Sequence, residues 1–220
     1  MEKRHFRRIL DITLTLLLGA QMAYALIGEA AHEIMGMAWL MLLILHHVVN
    51  GGFHRKLFKG GYTPYRAALT LLDLAMLGIF IMQGVSGMVM AKHVRLLPVS
   101  GAAWARKAHL LGAYWGFVLC GVHAGMHMTG LLRLWHKAQS GAKKACIACA
   151  ALGFGACGVV AMVKRGLPKY MTLRQQFVFL DYSEPLWRFF FDYALILLLW
   201  MLLGCMLGAA LRRVGGRKKR

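Results

Sequence analysis

The chain has 220 residues, 59% of them hydrophobic, and a mean hydropathy of +0.56, which is more apolar surface than a soluble domain hides in its core. Its 27 Lys and Arg against 8 Asp and Glu give a formal charge of +19, which in a soluble protein would point to nucleic acid. Here the basic residues fall in short clusters between apolar runs, where they set orientation in a bilayer, so lipid and not nucleic acid is the expected partner.

A hydrocarbon core about 30 Å thick is crossed by roughly 20 residues of helix. Six runs reach that length, at 9–28, 31–50, 66–90, 107–131, 145–163 and 188–211, and the sequence predicts an all-α membrane protein with six transmembrane helices. The first run also has the build of a signal peptide, with a basic start, an apolar middle and small residues at Ala23 and Ala25. The connections between runs carry Gly, Pro and charge, and none is long enough for a soluble domain. The amino terminus, the second and fourth connections and the carboxyl tail hold 4, 4, 4 and 6 Lys and Arg, against 9 on the remaining segments, which places both termini in the cytoplasm. The five cysteines lie in or beside apolar runs, so no disulfide framework is expected, and "CIAC" at 146–149 reads as small packing residues opening the fifth helix.

Histidines interrupt the second and fourth runs. His32 and His46 stand in an H-x13-H spacing, and so do His109 and His123. At about 3.5 residues per turn that spacing is four whole turns, so each pair lies along one helix face, its members roughly 21 Å apart along the axis. The second and fourth helices run the same way through the membrane, so His32 is expected to meet His109 near the outer face, and His46 to meet His123 near the inner face. Two stacked pairs of facing imidazoles suit two b-type haems, each iron held from both sides. One histidine in an apolar helix is commonly a packed hydrogen-bonding residue, whereas four in matched pairs point to function. His47 and His127 are rivals for the inner site. His127 and Asn50, each about five turns after an outer histidine, are assigned to hydrogen bonding near the inner haem propionates or a quinone. Gly36, Gly84, Gly87 and Gly112 fall at the outer level, where backbone without bulk makes room for a flat macrocycle.

At "HEIMGMAWLMLLILHHVVN", "GVSGMVM" and the H-x13-H of the fourth helix, the chain resembles the flavinylation-associated cytochrome family, small bacterial di-haem membrane cytochromes similar to the haem bundles of respiratory cytochromes b. The resemblance covers roughly residues 8–131. It implies ligation of two haems b by His32, His46, His109 and His123 in a bundle of the first four helices (1–135), with two further helices in 136–220. It also implies the bacterial cytoplasmic (inner) membrane, and electrons passing between membrane quinol and an extracytoplasmic flavoprotein or cytochrome.

Among acids in the apolar runs, Asp73 is placed at the depth of His46 and His127, where quinol oxidation would need a proton acceptor, and Glu33 beside His32. The segment "TLRQQFVFLDY" at 172–182 is expected to form a short interfacial helix and to offer a docking surface. The rival function is a transporter, with histidines lining a path for protons or transition-metal ions.

Overall fold

The structure is a computed structural model that describes residues 2–94, 103–128, 135, 137, 140–179 and 181–217. Among the described residues there is no strand. The helices are α1 (Glu2–Gln21), α2 (Tyr24–Ile27), α3 (Glu29–Val49), α4 (Gly52–Lys56), α5 (Pro64–Met90), α6 (Ala103–His127), α7 (Gly141–Lys164), α8 (Leu167–Met171) and α9 (Leu186–Arg217). Local chemistry sets several boundaries. The Thr63 hydroxyl accepts from Arg66 N at 3.2 Å, and Pro64 opens α5. The Ser140 hydroxyl accepts from Lys143 N at 3.2 Å to start α7. Gly28, at φ +89°, turns the chain from α2 into α3. The first apolar run is therefore a 20-residue helix and a separate short turn of helix, divided at the buried Met22 and Ala23.

Four helices, α3, α5, α7 and α9, are long and apolar enough to cross a membrane. Most side chains on these spans face outward, as apolar residues facing lipid would. The other two long helices miss that hydropathy for different reasons. α1 carries four Lys and Arg in its first turns and buries Leu10, Leu14 and Leu18, a stripe at every fourth position that Met22 continues just past its end, and it packs along α3. α6 is the innermost helix of the molecule, with Leu110, Tyr114, Phe117, Val118 and Met126 buried. A helix shielded by α5 and α9 need not be greasy all round, and this one has room for histidine and glycine.

The α6–α9 crossing is built on glycine. A Cβ at Gly121 would lie 2.7 Å from Trp200 Cβ, a Cβ at Gly125 would fall on the Met201 carbonyl, and one at Gly204 on the Val122 carbonyl. Backbone meets backbone there, as at small-residue crossings in membranes. Gly125→Ala is expected to push the helices apart and cost about 1–3 kcal/mol, as overpacking does, seen as a lowered thermal midpoint in detergent. Beyond the crossing, Tyr65 Oη and Arg212 both donate to the Met126 carbonyl, at 3.1 and 3.2 Å, satisfying the free C-terminal end of α6.

At the other end of α6, Tyr114 stacks on Tyr170 of α8 with centroids 4.7 Å apart, and Trp115 Nε1 donates to the Met171 carbonyl at 3.0 Å. The short helix in the long connection between α7 and α9 is thus α8, and 172–179 is not helical, contrary to the expectation for "TLRQQFVFLDY". Gly166 at φ +67° and Pro168 favour a start at Leu167, and Leu173 at φ +55° breaks the helix before Arg174.

Candidate functional site

The structure brings His32 and His109 together. Their ring centroids are 6.0 Å apart with planes inclined at 70°. A metal–imidazole bond is about 2 Å, so two such bonds in line, with a ring radius at each end, would put the centroids about 6 Å apart. α3 packs along α1 and only lightly on α5, while α6 is clasped by α5 and α9, so the two histidine-bearing helices meet through side chains. The edge of Tyr24 lies against His32, centroids 5.1 Å apart, and its hydroxyl donates to Glu29 Oε1 at 2.8 Å. Glu33 accepts from the backbone N–H groups of Lys92, His93 and Val94 at 2.8, 2.8 and 2.9 Å, and Lys92 Nζ donates to Glu29 Oε2 at 2.9 Å. The two glutamates thereby tie the start of α3 to the end of α5, which holds the level of His32.

Each of the four histidines has its Nδ1 against a polar side chain of the flanking helix. On α3 the flank is α1. With the Gln21 carboxamide oriented to accept from Gly36 N at 2.5 Å, its nitrogen donates to His32 Nδ1 at 2.7 Å, and His46 Nδ1 donates to Asp11 Oδ1 at 2.9 Å. On α6 the flank is α5. Ser86 Oγ is 3.3 Å from His109 Nδ1, and Asp73 Oδ1 is 2.8 Å from His123 Nδ1. That last contact is not aligned as a hydrogen bond, and neither buried atom has another partner. Where Nδ1 faces an acceptor, as His46 faces Asp11, the ring direction is fixed and the lone pair is left at Nε2; where Nδ1 accepts, as His32 does from Gln21, the ring proton is on Nε2.

The inner level differs from expectation. His46 and His123 make no ring contact like that of the outer pair. Each is drawn to its own carboxylate, Asp11 on α1 and Asp73 on α5, which flank from opposite sides. His127 packs on His123 with centroids 4.8 Å apart. His47 turns to His54, ring nitrogens 3.2 Å apart. Asn50 donates to the carbonyl of His46 within its own helix at 3.0 Å.

The glycines divide likewise. A Cβ on Gly87 would lie 3.3 Å from His109 Cε1, so this glycine lets the ring rest on α5. At Gly112 it would come within 2.5 Å of Gln83 Oε1, and at Gly36 within 3.0 Å of the Gln21 carboxamide. Gly84 faces Leu40 and serves the contact between α3 and α5. Gln21 and Gln83 are site residues that histidine spacing did not reveal, although a carboxamide in an apolar helix is a signal in itself. Gln83 Nε2 lies 3.1 Å from His109 Nε2, and its Oε1 is buried without a partner.

Among the described residues, no group of three or more His, Cys, Asp or Glu is arranged to hold a metal ion; a haem iron takes only two ligands from the chain. No family model, curated protein or solved structure matches this chain.

Proposed function

We infer that the chain is a six-helix membrane b-type cytochrome. In this reading α1, α3, α5 and α6 form the haem bundle, His32 and His109 hold the outer haem, and His46 and His123 the inner. The observation that carries the reading is the meeting of His32 and His109 at 6.0 Å between centroids, at the separation two axial imidazoles have. The unpartnered Gln83 Oε1 and the glycine cradle beside His109 are further features of a site built for a guest. Haem bound by two histidines supplies one-electron transfer and leaves no position for oxygen.

The chain's own residues would orient the ligands from α1 and α5, keep water from the outer pair with Tyr24, and hold the proton-bearing groups Asp73 and His127 at the inner level, where quinol would be oxidised. The extracytoplasmic acceptor, a flavoprotein or cytochrome, would meet the exposed Phe177, Phe179, Tyr182 and Trp187. Arg106, one turn before His109, lies over the Phe177 ring at 5.5 Å and links that surface to the outer site.

A permease for protons or metal ions is the second reading, and the carboxylates beside His46 and His123 favour it at the inner level. A reduced-minus-oxidised spectrum with a pyridine haemochrome assay on the purified chain separates the two. Two b haems per chain are expected, and folded protein that takes up none would overturn the cytochrome reading.

A further inference from the structure

α7 lies at the edge of the molecule, packed on α9 and on the short α8. The two long helices touch closely at Gly158, where a Cβ would lie 2.7 Å from both the Leu195 carbonyl oxygen and Leu199 Cβ. A turn earlier they have begun to part, and the nearest atom to a Cβ on Gly155 is Leu199 Cδ1, at 4.0 Å. Toward the start of α7 a groove of about 350 Å³ opens between them. Ile147, Ala150, Ala151 and Phe154 form one wall, and α9 from Leu198 to Cys205 forms the other. Two alanines in succession leave the space.

The groove suits hydrocarbon. Its one thiol, that of Cys205, already donates to the Met128 carbonyl at 3.2 Å, so a ring with oxygens to satisfy, such as a quinone head, finds no partner there. From Phe154 back to Lys143 the helix axis advances about 16 Å, half of a hydrocarbon core roughly 30 Å thick. The groove therefore runs the depth of one leaflet, which is the reach of one acyl chain.

Its outer end is basic. Lys143 stands one turn before Ile147 and Lys144 two turns before Ala151, so both continue the apolar stripe, and both are exposed. From the contact at Gly158, about 15 residues along each helix reach Lys143 on α7 and Arg212 and Arg213 on α9, so these cations share a level. Arg212 is engaged by the Met126 carbonyl and the Tyr65 ring, which leaves Lys143, Lys144 and Arg213. Among the described residues, the Lys and Arg side chains in ion pairs are Lys92, Lys164 and Arg165, all at the opposite end of the molecule. The single acid of α7 and α9, Asp192, is one of their partners. Cations without carboxylates, set at the mouth of an apolar slot between membrane helices, have the chemistry of a lipid phosphate site.

We propose that this groove binds one anionic phospholipid, with an acyl chain between α7 and α9 and the phosphate held by Lys143, Lys144 and Arg213. The walls fix the chain, and the cations select the headgroup. The bound lipid completes the packing of the first half of α7. The inference rests on the membrane-spanning character of α7 and α9 and is independent of the histidines.

The test is native mass spectrometry of the full chain released from nanodiscs that hold equal amounts of phosphatidylglycerol and phosphatidylcholine with the same acyl chains. One retained phosphatidylglycerol per chain is expected, in clear excess over phosphatidylcholine. Lys143→Ala and Lys144→Ala should each lower that preference about fivefold, the weight of one cation at the membrane surface. Lys107→Ala, at the opposite end, should leave it unchanged. Ala151→Phe fills the groove and should abolish retention of either lipid with no change in charge; should that variant not fold, the exposed lysines decide the matter. Equal retention of the two lipids, an effect of Lys107→Ala as large as that of Lys143→Ala, or undiminished retention by folded Ala151→Phe would overturn the proposal. A dimer mass in place of the lipid adduct would overturn it in favour of a second copy of the chain in the groove.

Discussion

On the proposed cytochrome reading, His109→Ala is expected to leave one haem per chain in place of two, and His32→Ala should remove that same haem. The two rings meet each other and belong to separate helices, so either truncation would remove one of the two ligands proposed for the outer haem. The double variant should lose no more than each single one. The inner histidines are held by Asp11 and Asp73, well along α1 and α5 from the outer partners, and share no hydrogen bond with the outer pair. Haem counted against protein in the purified variants checks this. Loss of both haems, or of neither, would mean that the outer pair is not a discrete site. Of the two, His109→Ala should cost the fold more, because it also takes the partner from the Gln83 amide nitrogen, and an unmet buried polar group costs about 1–3 kcal/mol.

The outer pair was legible because the H-x13-H spacing converts directly into one helix face, and two such helices running the same way bring equal depths together. The inner pair obeys the same arithmetic and still does not meet. Spacing says where a Cα lies along a helix but not which neighbour claims the ring, and a carboxylate within reach outcompetes another imidazole. Gln21 and Gln83 escaped notice for a related reason: their part depends on which helices lie side by side, and that packing is absent from a periodicity. The sequence placed α6 among the membrane runs by length. Its central position was not legible, although its glycines and modest hydropathy follow from it. The break at Met22 and Ala23 was hidden because both residues are as apolar as the helix they interrupt.

One structural principle joins the pieces. α1 and α5 contribute none of the four histidines, yet they hold the side chains that aim all four rings. Sequence reasoning that looks for ligands finds α3 and α6, and reads in α5 only small glycines and Asp73. The geometry makes α1 and α5 the orienting frame, with polar side chains at two heights matching the two histidine levels.

Arg165→Ala is expected to be the most destabilising substitution outside the histidine levels, at about 3–5 kcal/mol, the range for removing one partner of a buried ion pair. Arg165 follows α7 directly and donates to both Glu184 oxygens at 2.6 and 2.9 Å, and to Asp192 Oδ2 at 2.8 Å through Nε. Lys164 Nζ reaches the same Asp192 oxygen at 2.8 Å, and the guanidinium lies 4.9 Å from the Phe189 ring centroid. The Arg165 and Glu184 side chains are each only 11% exposed, so truncation strips Glu184 of its two-pronged partner and leaves Asp192 to Lys164 alone. The hydrogen bond from Arg165 holds the Glu184 carboxyl below its ordinary value, which sets the pH dependence. The stabilisation is fully present above about pH 4.3, the unfolded pKa of a glutamate, and is lost as pH falls below that through the depressed folded value. Thermal denaturation in detergent should therefore show a wide gap between the parent and Arg165→Ala at neutral pH that closes as the solution is acidified below about pH 4. An Arg165→Lys variant, which keeps the charge but loses the two-pronged grip, should fall between them. A gap that stays constant from neutral to acid pH would show that the arginine acts by packing on Phe189 and not through its carboxylates.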